Sequence, residues 1–112
     1  MLTHDIMLEY MKVFLPNLTM EERRDPKISP LYADLNNLKL PPAIFTCGTE
    51  DPLLDDSVMM SLKWQMAGAE TVLKLYPGAP HGFVAFPPEQ VPAAKECMDH
   101  VFEFLRPKLG KK

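Results

Sequence analysis

Two side chains in this sequence of 112 residues have the chemistry of a proton-transfer pair, Asp51 and His81. A carboxylate beside an imidazole holds the ring in one tautomer and stabilises the imidazolium. The ring can then take a proton from a hydroxyl nucleophile. Asp51 lies in the polar stretch Thr49-Glu50-Asp51-Pro52-Leu53-Leu54-Asp55-Asp56, and His81 in the rigid turn Pro77-Gly78-Ala79-Pro80-His81-Gly82. Other reactive side chains are less organised. Glu50 is a neighbour that tunes the field around the acid, and Asp55 or Asp56 is placed to cap a helix. The D-x-[DN]-x-[DN]-G pattern of a calcium loop is absent. Cys47 and Cys97 lack CxxC or Cys/His spacing and read as buried free thiols, and His4 and His100 fall on helical stretches without partners. Neither a metal nor an organic cofactor is implied.

The pair can form only if the fold returns the chain to one edge, and the pattern of elements does this. Ala43-Ile44-Phe45-Thr46-Cys47-Gly48 is a continuous apolar run closed by glycine, as in a strand buried on both faces. Val58, Met59, Leu62 and Met66 recur at helical spacing and predict a helix over 57–67, closed by Gly68. Thr71–Tyr76 is β-rich. Strand, helix, strand implies a parallel crossover, which points both strand ends, and so Asp51 and His81, to the same edge. A last helix over 90–105 carries Ala94, Cys97, Met98, Val101, Phe102 and Leu105 on one face, with Pro92 in its first turn and Pro107 ending it. Upstream, residues 3–15 read as a helix capped by Thr3, with Met7, Met11 and Phe14 on its apolar side. Thr19-Met20-Glu21-Glu22 has capping-box form for a short second helix. Pro26, Pro30, Pro41 and Pro42 make 25–42 an ordered, extended connection.

Composition bounds the partners. Apolar residues make up 46% and charged residues 24%, which is globular rather than disordered. The net charge of -3, without basic blocks, gives no footprint for nucleic acid or an anionic membrane. No apolar run reaches the roughly 20 residues of a membrane span, and none has signal-peptide form, which favours the cytoplasm.

The wording of the loops adds to this. Gly-Thr-Glu-Asp-Pro-Leu-Leu-Asp-Asp after the first strand and Leu-Tyr-Pro-Gly-Ala-Pro-His-Gly-Phe after the second resemble the C-terminal third of α/β-hydrolase esterases, in the hormone-sensitive-lipase-like group that includes arylacetamide-deacetylase-like carboxylesterases. Ser29-Pro30-Leu31 and Leu40-Pro41-Pro42-Ala43 are similar to that family's approach to its acid-bearing strand. The resemblance covers roughly 1–106 and is strongest over 29–83. It implies an α/β fold, with Asp51 as triad acid and His81 as triad base, and Asp55 supporting the loop. Residues 1–24 would be part of a cap over the acyl pocket, with Met7, Met11, Phe83 and Phe86 as candidate lining. Leu54 stands where the family often has a basic residue.

The family also needs a Gly-x-Ser-x-Gly elbow and a glycine-rich oxyanion segment, in the chain order Ser, Asp, His. Ser29, Ser57 and Ser61 are the serines here, and none is flanked by glycines. The expectation is therefore an incomplete α/β-hydrolase domain over 1–112: cap-like helices over 1–24, the connection over 25–42, and strand-helix-strand-helix over 43–112. It would serve a serine carboxylesterase or lipase-like hydrolase acting on small esters with apolar acyl or aryl groups. The nucleophile and oxyanion hole would come from a missing N-terminal portion of the domain, and the 112 residues alone would be inactive. Rival readings are a non-catalytic ligand-binding or interaction protein on the same fold, an independent small α/β domain, and a metal-dependent hydrolase using His81 with the acidic loop.

Overall fold

The frame of the molecule is two short strands, β1 (Ala43–Gly48) and β2 (Thr71–Tyr76). The computed structural model describes residues 2–110. In it the strands pair in parallel, from Ala43 opposite Thr71 to Gly48 opposite Tyr76. Their ends are level, so the loops leaving Gly48 and Tyr76 start side by side. The crossover is α2 (Leu54–Met66), packed against both strands. Trp64 meets Phe45 edge to face at 6.0 Å between ring centres, and its Nε1 donates to the Pro41 carbonyl at 2.8 Å. Lys63 Nζ donates to the carbonyls of Leu31 and Ala33, both at 2.5 Å, which ties the proline-rich connection to α2. That connection is ordered, though a 3-10 turn at Pro30–Tyr32 interrupts its extended course.

Two helix boundaries differ from the sequence expectation. α2 begins at Leu54 rather than 57, and neither Asp55 nor Asp56 caps it. Asp51 starts the turn instead: its Oδ1 accepts from the Leu53 N–H at 2.8 Å and its carbonyl from the Leu54 N–H at 3.0 Å. Asp55 and Asp56 then fall in the first turn, where negative charge complements the helix dipole. The last helix, α3 (Pro92–Leu109), starts on Pro92 but runs through Pro107. So near a C-terminus the missing proline N–H removes one bond from a turn that is already ending. Lys108 holds that turn, donating to the Phe104 carbonyl at 3.3 Å and to Glu70 Oε2 at 3.1 Å.

The buried core is small: Tyr76, Ala79, Phe83, Ala94 and Cys97, with Val91, Ala93 and Val101 packed on it. It lies between α3 and the chain that leaves β2. His100, read from sequence as unpartnered, takes a hydrogen bond with the Tyr76 hydroxyl at 2.7 Å. At the other end of the chain, α1 (His4–Phe14) has the expected Thr3 cap, with Oγ1 accepting from the Ile6 N–H at 3.2 Å. No residue of α1 is buried. The Thr19–Glu22 capping box is formed in both directions, at 2.8 and 3.1 Å, but closes only a 3-10 turn over Glu22–Arg24.

Candidate active site

The level ends of β1 and β2 place two loops in contact, and backbone bonds stitch them together. The Thr49 N–H donates to the Tyr76 carbonyl at 3.0 Å and the Glu50 N–H to the Ala79 carbonyl at 3.0 Å. In return, the Gly78 N–H donates to Thr49 Oγ1 at 2.7 Å. Gly48 is required at this crossing. A Cβ there would stand 2.0 Å from the Ala79 carbonyl oxygen, well inside any possible contact. Gly82 follows His81 with φ of +73°, the left-handed region that lets the chain leave the turn at once toward Phe83.

On this frame Asp51 and His81 meet. His81 Nδ1 lies 2.9 Å from Asp51 Oδ2. A carboxylate acceptor fixes the proton on Nδ1 and leaves Nε2 as the basic nitrogen. The carboxylate is held from three directions. Oδ1 accepts from the Leu53 N–H, Oδ2 from His81, and the Cys47 thiol reaches Oδ2 at 3.6 Å. The two partners differ in exposure: the Asp51 side chain is 8% exposed and that of His81 47%. A buried acid supporting an accessible base is the arrangement a proton shuttle needs. Burial, and the negative charge of Asp51 beside it, push the Cys47 thiol above its ordinary range, so it stays protonated.

His81 borders an apolar cleft of about 620 Å³, lined also by Leu2, Ile6, Met7, Tyr10 and Leu53. A smaller cavity of about 190 Å³ reaches the pair from behind, past Cys47, Ser57 and Phe83. Met7 is thus on the wall of the cleft, whereas Met11, half-buried on the next turn, is not among its lining residues. Phe83 is 3% exposed in the core, with one face on the smaller cavity, and Phe86 is 45% exposed beyond both. The Glu50 and Asp55 side chains are exposed, and Glu50 contributes through its backbone N–H. Sequence reading missed Leu2, Leu53, Ile6 and Tyr10; Ile6 and Tyr10, four apart on one helix, carried the available signal. Among the described residues no group of three His, Cys, Asp or Glu side chains could hold a metal ion. Nor is any helix there long and apolar enough to cross a membrane.

Known proteins resemble this chain in sequence and fold. The family described as alpha/beta hydrolase fold matches residues 1–85. Human hormone-sensitive lipase is 35% identical over 91 residues, covering 78% of this chain and 8% of the lipase. An esterase of Acinetobacter venetianus is 36% identical over 80 residues, covering 71% of this chain and 25% of the esterase. Among solved structures, a thermostable carboxylesterase from a metagenomic library superposes with a TM-score of 0.73 at 34% identity, covering 91% of this chain and 34% of that one. A hormone-sensitive lipase from a metagenome library gives 0.80 at 29%, covering 95% and 34%. The chain spans about a third of these solved proteins and a quarter or less of these two sequence relatives.

Proposed function

As this chain belongs to the α/β-hydrolase fold family, in its hormone-sensitive-lipase-like branch, we propose that it supplies the acid and base of a serine hydrolase acting on carboxylic esters. The esters carry apolar acyl or aryl groups of modest size. A serine from outside these 112 residues attacks the ester carbonyl while His81 Nε2 takes the hydroxyl proton. Backbone N–H groups, also from outside, hold the oxyanion. His81 then returns the proton to the leaving alcohol, and a water molecule, activated by the same nitrogen, releases the acid. Asp51 keeps Nδ1 protonated and balances the charge of the imidazolium. Residues 1–24 act as part of a cap, and Ile6, Met7 and Tyr10 give the acyl or aryl group an apolar wall.

The observation that carries this reading is the 2.9 Å Asp51–His81 bond on the rim of an apolar cleft. A fluorophosphonate probe tests it on the whole protein that contains this chain. We expect labelling of one serine, together with hydrolysis of short-chain p-nitrophenyl esters, and loss of both in His81→Ala. A well-folded whole protein that takes no label and turns over no ester would instead be a non-catalytic binder on the same fold.

A further inference from the structure

The Asp51 carboxylate has one contact that the proton-transfer mechanism does not use. The Cys47 thiol lies 3.6 Å from Oδ2, the same oxygen that receives the His81 Nδ1–H. We propose that Cys47 is a positioning residue for the acid of the pair, its S–H donating to Asp51 Oδ2 and fixing the rotation of the carboxylate. This rests on the hydrolase reading of the site.

The geometry limits what else the thiol can do. Cys47 is 4% exposed at the end of β1, one residue before the crossing at Gly48, so its backbone cannot shift without disturbing both loops. Its alternative acceptor is the carbonyl of the next residue, Gly48, at 3.5 Å. The carboxylate has two other donors, the Leu53 N–H on Oδ1 at 2.8 Å and His81 Nδ1 on Oδ2 at 2.9 Å. Oδ1 is thus held by the backbone, and Oδ2 is shared between the thiol and the imidazole. Removing the thiol takes one of two donors from a largely buried oxygen and loosens the carboxylate about its Cβ–Cγ bond, which the Leu53 N–H and His81 still restrain. Cys47 and Cys97 are both free and buried, and a protonated, enclosed thiol is a poor nucleophile, so positioning suits it better than covalent chemistry.

Two variants that differ by one hydroxyl separate positioning from packing. In the whole protein, Cys47→Ala removes the donor, and Cys47→Ser keeps a donor in a similarly small side chain. We expect Cys47→Ala to lower kcat by roughly threefold to tenfold, the effect of one modest hydrogen bond, with KM unchanged. Cys47→Ser should retain most of the wild-type kcat. In proton NMR spectra the His81 Nδ1–H resonance should move in Cys47→Ala and stay near its wild-type position in Cys47→Ser. Equal loss in the two variants, or no change in either kcat or the resonance in Cys47→Ala, overturns the proposal. If the wild-type protein hydrolyses no ester, the hydrolase reading fails by itself. The resonance then still decides whether Cys47 orients the carboxylate.

Discussion

At the scale of single residues, Asp51 does two jobs with one carboxylate. Oδ1 starts α2 through the Leu53 N–H, and Oδ2 holds His81. Asp51→Asn separates them. An amide can still accept from Leu53, but with its NH₂ toward the ring it stabilises the wrong tautomer. In the whole protein we expect kcat for a p-nitrophenyl ester to fall on the order of 10⁴-fold with KM nearly unchanged. A loss below tenfold would show that His81 does not depend on Asp51. The two residues were legible in the sequence because both follow strand ends that a crossover must bring to one edge. Met11 and Phe86 were not, because spacing gives a helix face without saying how far along it a cleft extends, and a 3-10 turn at Phe83–Ala85 carries Phe86 past it. The Cys47 contact was illegible for another reason: it depends on a side-chain rotamer, and a cysteine in an apolar strand reads as packing.

The elements matter through the way their ends are joined. Gly48→Ala puts a methyl into the Ala79 carbonyl, so the two loops must separate. We expect a loss of about 3 kcal/mol or more in unfolding free energy, comparable to overpacking at a backbone contact, and loss of the His81–Asp51 pairing with it. Chemical denaturation of the whole protein measures the first, and the His81 Nδ1–H resonance the second. On the far side of β2, Tyr76 anchors α3 through His100 and the His81 loop through its own carbonyl. Burial, helped by the neighbouring Cys97 and Glu96, raises its phenol above the ordinary 10.0. A raised folded value means that its stabilisation is whole below pH 10.0 and is lost as pH climbs from there toward the folded value. Tyr76→Phe should therefore cost about 1 kcal/mol at pH 7 through the lost hydrogen bond, and show a shallower decline in stability above pH 10 than the wild type. Parallel alkaline limbs in the two proteins would place the titrating group elsewhere. Both strands and the start of α3 were readable from residue pattern alone. The ends that differed, Leu54 and Leu109, are those where a side-chain bond holds the terminal turn: Asp51 to the Leu53 N–H at one, and Lys108 to the distant Glu70 at the other.

For the molecule as a whole, size and surface disagree in an informative way. The radius of gyration is 16.1 Å, whereas a compact domain of this length has about 13 Å. The accessible surface is 8248 Å², against roughly 6200 Å² for a compact monomer of the same mass. The excess, about 2000 Å², is more than twice the roughly 800 Å² that one partner buries in a standard protein–protein interface. It is apolar in part: Tyr10, Val13 and Phe14 on α1, Leu62 and Met66 on α2, and Phe102 on α3 are all exposed. The two-stranded sheet also leaves an outer edge on each strand, a row of unpaired backbone groups among the described residues. A surface of this kind is stable only when covered. We therefore expect the 112 residues expressed alone to self-associate at micromolar concentration in sedimentation velocity, to bind the dye ANS, and to melt without a sharp transition. The same residues within the whole protein should bind no dye and melt cooperatively. A monomeric, dye-free and cooperatively melting 112-residue chain would mean that the exposed faces rearrange to cover themselves. The cleft beside His81, whose far wall is the loosely held α1, would then have a different shape from the one described.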